Sequence, residues 1–591
     1  MATQEVSPVT SVRPLSTRTP FPRDLTASQL AVAALVERGI TDFFGVPGGP
    51  IIPFFDAILS NPATTLYEPR HETTAVFEAM GFYRATQRTP VVVVTAGPGL
   101  TNVVTGVAAA MLERVPLIVV CGDVAWSSTG ERMLQDSGEG GLAAERMLGS
   151  VTRMTTRIAR AESAASQMIA AVAIAEAPVD PGPALVVFPI DRSAQRKPGP
   201  KLAHAVRRVT IHAPPDPATV STVEQQLRRA QRPLLVLGGA CRNAQPTVEA
   251  LVNALGIPFM TTPRAKGIVS EDHPLSLRTS GMAASWWARR YTQAGVDACL
   301  ALGTDLDDVS VLGTPLVARG GTLTHVDLDA SVIGRGGNTT LGVVAELGGF
   351  ASALFERARQ QNQQHGPNER GLALAEEAHA QSAFDVPDFA TDDATLIRPH
   401  RVIADLEAAA PADTRFVTDI GEHMLFALHY LTARRPDAFT IHLGLGSMGS
   451  GIGSAVGQAL GDPSRPVCCI CGDGGMAMVG MELLTAVQHR LPVLFVVFND
   501  ARYNMVYHGY RQTFGREAGW STPHVDFVAW ARSMGANGER IDHPGEIGPE
   551  HFLGLKHGPM VLDVRQDPGI RIKGEGRVEA IRQMSMSTKE L

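Results

Sequence analysis

Little in this chain is charged, and the charge is not concentrated. Charged residues are 19% of 591, the formal net charge is −7, and no long Lys/Arg run occurs. That argues against nucleic acid, which calls for a basic face. No apolar run approaches the roughly 18 residues of a membrane-spanning helix, and the N-terminus lacks an apolar signal core. The expectation is a cytoplasmic protein with no membrane partner. Cysteine is scarce as well: the six (Cys121, Cys241, Cys299, Cys468, Cys469, Cys471) show no zinc-type spacing. All but Cys241 fall in or at the end of apolar, strand-like runs, so Cys469 and Cys471, on one face of one strand, read as strand lining rather than a metal or redox pair.

What the chain does have is hydrophobic content, 44% of its residues, and length enough for about three or four domains. Residues 1–23, rich in Ser, Thr and Pro, read as a disordered leader. From Thr26, an N-cap for a helix over Ala27 to Glu37, strand and helix signals alternate through Asp42–Val46, Thr65–Tyr67, Val91–Thr95 and Pro116–Cys121. Alternation of this kind gives α/β architecture with doubly wound parallel sheets. The sequence divides into a first domain over 24–190, a linker over Asp191 to His212, a central Rossmann-like domain over 213–359, a polar linker from Gln360 to Pro387, a last domain over 388–570, and a charged tail over 571–591.

One stretch organises the rest. The apolar run Pro466–Cys471 reads as a buried strand closed by Gly472. In the turn that follows, Gly472, Gly474 and Gly475 let backbone approach a ligand while Asp473 offers a hard oxygen, as is needed where a cation bridges protein and phosphate. A helix is expected from Met478 to Gln488, then a second apolar strand over Pro492–Phe498 running into Asn499-Asp500. That brings Asp500 to the sheet edge of Asp473, where ligands bind in open α/β sheets. Taken alone, Gly-Asp-Gly is equally a strand-to-helix turn.

The spacing of Asp473 and Asp500, with Glu482 and Leu491-Pro492 between, resembles the diphosphate-binding motif of thiamine-diphosphate enzymes, most closely the acetolactate synthase group. The resemblance implies that Asp473, the Asp500 side chain and the Arg502 backbone carbonyl hold Mg2+, and that Gly472, Gly474 and Gly475 cradle the diphosphate. Many family members have Asn at the position of Asp500; either side chain can coordinate magnesium. Gly421, Glu422 and His423 are placed against the diphosphate, although His423 alone could be a polar residue beside a turn. Gly446 and Met448 are placed beneath the cofactor, Met448 as an apolar wedge, with Met505 also at the cofactor.

In the first domain, Arg70-His71-Glu72 alone would read as a charged helix start. In company with Gly45-Val-Pro-Gly-Gly49 and Gly97-Pro-Gly-Leu-Thr-Asn102, it resembles the family's pyrimidine-binding domain. Glu72 is then the activating glutamate, whose carboxylic acid bonds N1′ of the aminopyrimidine and favours the imino tautomer that deprotonates C2. Such a group works best in a dry pocket. In the central domain the family often holds FAD structurally. Here Asp305 and Val309 stand where arginines are usual, which weakens the case for FAD.

The function implied is a decarboxylating carboligase that transfers a two-carbon unit from a 2-oxo acid donor such as pyruvate to a carbonyl acceptor. A 2-oxo acid decarboxylase is the alternative, disfavoured by the lack of an adjacent histidine pair. A nicotinamide or flavin oxidoreductase is more remote, because Leu237-Gly-Gly-Ala-Cys-Arg242 is not GxGxxG. A silent scaffold would have no need of Glu72, Asp473 and Asp500 together. Gly509, where a bulky Trp is usual, implies a differently shaped acceptor pocket. Asp123, replacing a glutamine, disfavours an anionic acceptor unless Arg153 neutralises it. The resemblance also implies a homodimer or homotetramer.

Overall fold

The computed structural model describes residues 24–197, 213–335, 338–366 and 368–573. The expected leader, most of the tail and residues 198–212 of the first linker lie outside them. The apolar runs bounded by Gly or Pro have become strands, buried on both sides within each parallel sheet and partly exposed at edges such as Thr65–Tyr67 and Leu341–Val344. In the first domain these are β1 (Asp42–Gly45), β2 (Thr65–Tyr67), β3 (Val91–Val94), β4 (Leu117–Asp123), β5 (Met154–Arg157) and β6 (Pro183–Pro189), all parallel in the order β2-β1-β3-β4-β6-β5. Alternate residues serve opposite faces: Val91 and Val93 join one hydrophobic cluster, Val92 and Val94 another. Five helices cover them: α1 (Ala27–Val36), α2 (Ile52–Leu59), α3 (Glu72–Thr86), α4 (Pro98–Leu112) and α5 (Ala164–Ala175).

The central sheet comprises β7 (Pro233–Leu237), β8 (Phe259–Thr261), β9 (Ser276–Thr279), β10 (Ala298–Leu302), β11 (Thr322–Asp327) and β12 (Leu341–Val344). Its order is β9-β8-β7-β10-β11-β12, the Rossmann order. Its helices include α6 (Pro217–Arg229), α7 (Gln245–Leu255), α8 (Leu347–His365) and α9 (Arg370–His379). The last sheet, β13 (Arg415–Thr418), β14 (Phe439–Thr440), β15 (Val467–Gly472), β16 (Val493–Phe498), β17 (Asn537–Ile541) and β18 (Met560–Val564), has the order β14-β13-β15-β16-β18-β17, repeating the first domain. Its helices include α10 (Pro399–Ala409), α11 (Glu422–Tyr430), α12 (Ser450–Gly461), α13 (Asp473–Val479), α14 (Leu483–Gln488) and α15 (Asn504–Phe514). Among the described residues no helix is long and apolar enough to cross a membrane. All six cysteines are free and buried.

Three expectations need correction. The second linker is mostly helical: α8 continues to His365, and α9 docks on the central domain, with His379 Nε2 2.8 Å from the Ser276 carbonyl and its ring against Trp287. Alanine- and glutamate-rich sequence has high helix propensity, which a reading by polarity misses. The first linker includes a strand, Arg196–Lys197, paired antiparallel with Leu25–Thr26. The helix expected at Met478 starts directly at Asp473 and breaks at Gly480–Glu482, where a Cβ on Gly480 would lie 2.5 Å from Trp530.

The first and last domains are joined through α3 and α12. Gly449, the N-cap of α12, and Gly453, Gly457 and Gly461 within it recur every fourth residue and so share one face. A Cβ on Gly453 would sit 2.6 Å from Phe77 Cβ and one on Gly461 2.8 Å from Thr86 Cγ2; one on Gly457 would overlap the Glu78 carbonyl. Across the contact Gly81 of α3 presses on the Ser454 backbone. A single hydrophobic cluster therefore runs from Val92 through Val76, Met80 and Val456 to Cys469. We expect Gly457→Ala to cost about 3 kcal/mol or more, or to give insoluble protein, because backbone on both sides must move. Gly149→Ala, at the helix end Ala144–Gly149 with no atom within 4 Å of the new methyl, should be neutral or stabilising by up to about 1 kcal/mol. Denaturant midpoints of the two variants make the comparison.

Candidate active site

In sheets of order 2-1-3-4 the crevice opens between the first and third strands, where the connections diverge. In the last domain these strands are β13 and β15. Asp419, just after β13, is fully buried and accepts N–H groups from Gly449 (2.9 Å) and Gly451 (3.0 Å) at the start of α12. Burial pushes its carboxyl up to about 6. Asp419 was not singled out from sequence; its only signal was its place between a strand and Ile420-Gly421. Gly475 is confined to glycine because a Cβ there would overlap Asp419 Oδ2. At Gly474 a Cβ would lie 2.9 Å from the Tyr503 ring and 3.1 Å from Met448 Cε, so Met448 and Tyr503 converge on the glycine turn. His423 packs against Gly421 and Gly472. It is buried, its Nε2 has no partner, and desolvation lowers it to about 4, which keeps the ring neutral.

β15 and β16 are hydrogen-bonded neighbours with Gly472 opposite Phe498, so Asp473 and Asp500 leave adjoining strand ends. Burial raises both carboxyls, Asp500 to about 7, with the negative charges of Asp473 and Glu422 adding to the effect. Asp500 accepts the Arg502 N–H (3.2 Å) and the Gln566 amide (3.2 Å). Between them Ala501 takes φ +53°, the left-handed region, at a cost of about 1–2 kcal/mol. Arg502 is held by its guanidinium, which stacks 3.8 Å over Tyr507 and reaches the Pro568 carbonyl at 2.6 Å, so its backbone is fixed beside Asp500. Two crowded, desolvated carboxylates and a nearby carbonyl suit a divalent cation whose remaining ligands come from phosphate and water. Among the described residues no cluster of three or more His, Cys, Asp or Glu side chains could replace those ligands.

Of the other expected residues, Glu422 accepts from His508 Nδ1 at 2.7 Å and lies close enough to Asp500 for its charge to raise that carboxyl. Gly446 is exposed, at φ +73° with open space around it. Met505 lies on α15, half-buried and packed on the core below the turn with Ile420, Leu425 and Leu443.

Glu72 opens α3 in the first domain and is 8% exposed. Asn102 donates to its Oε2 at 2.9 Å, and Thr95 and Gly99 border its Oε1. Gly48 abuts Thr95, so the two glycine-bearing segments seen in sequence meet beside the Glu72 carboxyl. The role of Asn102 was not assigned from sequence. The expected partnership of Asp123 with Arg153 is wrong: Arg153 pairs with Asp180, and Arg157 pairs with both Asp123 and Glu145. Arg157, four positions further on at the end of β5, reaches the end of β4, whereas Arg153 precedes the strand. Asp123 is 1% exposed and also accepts the Ser137 and Val124 amides, so it anchors the loop after β4.

Glu72 is braced from the last domain. Glu482 accepts the Arg70 N–H (2.9 Å) and the Thr74 hydroxyl, the residues either side of Glu72, and is itself fixed by Thr485 at 2.8 Å. Beside it Glu78 is wholly buried, no donor reaches either of its oxygens, and its carboxyl lies against that of Glu482; burial, then the Glu482 charge and a hydrogen bond to that carboxylate, push it well up. Glu78 is thus protonated in the fold and ionised in the unfolded chain above about pH 4.3. A raised folded value means stability is present below that pH and falls as pH rises toward the folded value, by up to about 1.4 kcal/mol per pH unit for the one proton. Glu78→Gln removes this slope: equal to the native protein near pH 5, it should be the more stable at pH 8, as measured by urea unfolding.

Comparison with known proteins places these features together. Three family models match: the thiamine pyrophosphate enzyme N-terminal TPP-binding domain over residues 25–140, the central domain over 220–354, and the C-terminal TPP-binding domain over 419–564. The chain is 29% identical over 567 residues to a putative acetolactate synthase large subunit of Mycobacterium tuberculosis, covering 92% of this chain and 98% of that protein. It is 29% identical over 551 residues to the acetolactate synthase isozyme 2 large subunit of Escherichia coli, covering 92% and 96%. Among solved structures, the thiamine diphosphate-dependent 4-hydroxybenzoylformate decarboxylase of Rhodococcus jostii superposes with a TM-score of 0.78 at 20% identity, covering 92% of this chain and 99% of that one, a likeness of fold.

Proposed function

Since the chain belongs to the thiamine pyrophosphate enzyme family and is a thiamine-diphosphate-dependent enzyme of the acetolactate synthase kind, we propose that it is a decarboxylating carboligase. It would take a 2-oxo acid such as pyruvate and join its two-carbon unit to a second carbonyl compound. The observation that carries this reading is a dry, Asn102-held Glu72 in one domain together with a glycine cradle and paired carboxylates in another, in a chain like acetolactate synthases along nearly its whole length.

The bound cofactor supplies an acidic carbon and an electron sink for decarboxylation. The chain's own groups do the rest. Asn102 occupies Glu72 Oε2, which would leave Oε1 to hold the aminopyrimidine by a hydrogen bond. Asp473, Asp500 and the Arg502 carbonyl would hold Mg2+ against the diphosphate. Met448, set against Gly474 and Tyr503, would fix the cofactor's conformation by contact alone. Because Asp123 is neutralised by Arg157 and withdrawn from solvent, it does not repel an anionic acceptor. Both a second 2-oxo acid and a neutral aldehyde or ketone are accordingly acceptor classes for assay.

Incubation with thiamine diphosphate, magnesium and pyruvate, alone and with aldehydes and ketones, should yield carbon dioxide and a coupled product by mass. Glu72→Gln should lower the rate by about 100-fold or more. Carbon dioxide with free acetaldehyde and no coupled product would move the assignment to a decarboxylase.

Within one chain Glu72 and the helix after Met448 are kept apart. Gly81, which touches α12, lies nine residues beyond Glu72, about two and a half turns, so the two point from opposite faces of α3. The Glu72 carboxyl faces α4 instead. A cofactor spanning both halves would then lie between two copies, with a homodimer as the least unit. Glu72→Gln and Asp473→Ala chains, each inactive alone, should regain about a quarter of native activity when refolded or co-expressed as a random equal mixture, since half the dimers hold one intact site of two. No recovery would place each site within a single chain.

A further inference from the structure

The central sheet's switch point, between β7 and β10, opens on a cavity of about 310 Å³ where all three domains meet. It is bordered by Gly239, Arg242 and Gly303 of the central domain, Arg84 of α3, and His442 beyond β14. The family resemblance would put FAD at this edge, but the residues do not fit a dinucleotide. The backbone amides a diphosphate would use are already committed: Gly238 to Leu302 O (2.8 Å), Ala240 to Gly303 O (3.1 Å), and Gly348 and Gly349 to the Glu346 carboxylate (2.8 and 2.6 Å). The carboxylates Asp305, Asp327 and Glu346 line the same edge. The volume is also at the floor of ligand pockets, roughly 300–1,000 Å³.

What distinguishes the cavity is a pair of guanidiniums without an ion-pair partner, set among the carboxylates that also line it. Arg264 is taken up by Asp307 at 2.9 Å and Glu113 at 3.6 Å, and Arg114 by Asp329 at 2.8 Å. Arg242 is not: its Nη2 reaches the Arg264 carbonyl at 3.1 Å, but Nε and Nη1 are buried without a partner. His442, 6% exposed, has no partner at either ring nitrogen. Arg84 makes no side-chain hydrogen bond or ion pair among the described residues, and burial lowers it despite the attraction of Glu113. Arg84 and Arg242 also repel one another. Leaving two buried Arg242 nitrogens and both ring nitrogens of His442 unsatisfied is costly, and a fold retains such groups when something offsets the cost.

We infer that this three-domain junction binds a compact oxyanion, an inorganic phosphate or short dicarboxylate, between Arg84 and Arg242 with an N–H from His442, and that it does not bind FAD. Guanidiniums take phosphate and carboxylate alike through paired N–H groups. The occupant would link the C-terminal half of α3, whose first residue is Glu72, to the other two domains.

The experiment uses the protein saturated with thiamine diphosphate and magnesium, so that the diphosphate site is filled. Inorganic phosphate, succinate and FAD are titrated separately by calorimetry and by thermal unfolding, on the native chain, Arg84→Met and Arg242→Met. Phosphate or succinate should bind saturably and raise Tm, which separates the two sources, and each variant should weaken binding at least tenfold while still binding thiamine diphosphate. Without the anion the variants should unfold at or above the native Tm, because an unpaired buried cation has been removed. Absence of saturable binding of both anions to the native chain overturns the inference, as does binding unchanged in both variants, or FAD bound at one per chain.

Discussion

The structure depends on two helices touching without side chains between them. Gly453, Gly457 and Gly461 of α12 lie against Phe77, Glu78 and Thr86 of α3, while Gly81 returns the contact on Ser454. Side chains at these positions would force the axes apart by several ångströms, and the shared cluster from Val92 to Cys469 would open. The contact also has a fixed rotation. By consuming the face of α3 that carries Glu78 and Gly81, it turns Glu72 toward α4 and away from the domain that follows in the same chain. Glu482 then grips Arg70 and Thr74 across the contact, so the first turn of α3 is set by groups from another domain. Proximity chemistry needs such rigidity, since small displacements of a reacting group cost orders of magnitude in rate.

The three sheets place different electrostatics at equivalent edges. The first presents one carboxyl held by an amide, the last a pair of carboxylates in which burial and then neighbouring negative charge raise Asp500 to about 7, and the central one guanidiniums set among carboxylates, two of them without an ion-pair partner. Each edge carries a buried polar group, Glu72 in the first, Asp419 in the last and His442 at the central one. In that setting, like charges raise one another's free energy strongly, and the state without a counter-ion is the unfavourable one. The repeated strand order 2-1-3-4-6-5 in the outer domains supplies two matching crevices, and the 3-2-1-4-5-6 order of the middle domain a third. Fold repetition thus accounts for where sites lie, and the residues at each strand end account for what each site takes.

Much of this was legible in the sequence because strands buried on both faces are continuous apolar runs and the turns at their ends are marked by glycine. Asp473, Asp500, Glu72 and the glycine turns were visible for that reason. Partners that meet only through tertiary packing were not. Asp419 looked like the tail of a strand, and nothing local says that its carboxylate will receive the amides of Gly449 and Gly451. Arg153 stands just before β5 and Arg157 at its end; which one meets Asp123 depends on how far β5 runs beside β6. The helix α9 was hidden for a different reason: its buried residues are chiefly Ala375 and Ala378, too small to draw a hydrophobic stripe.

Glu78 shows how the shared contact and the electrostatics act together. Helices spaced by side chains would leave room for water beside that carboxyl, and it would ionise normally. Glycine contact excludes the water, so the carboxyl keeps its proton and presents a neutral group to Glu482. Were Glu78 ionised, two buried carboxylates would face each other at the joint that sets the first turn of α3, and the repulsion would be relieved by separating the helices. The closeness of α3 and α12 and the neutrality of Glu78 are therefore one condition. What keeps that joint dry also keeps Glu482 on Arg70 and Thr74, and so determines where the Glu72 carboxyl stands.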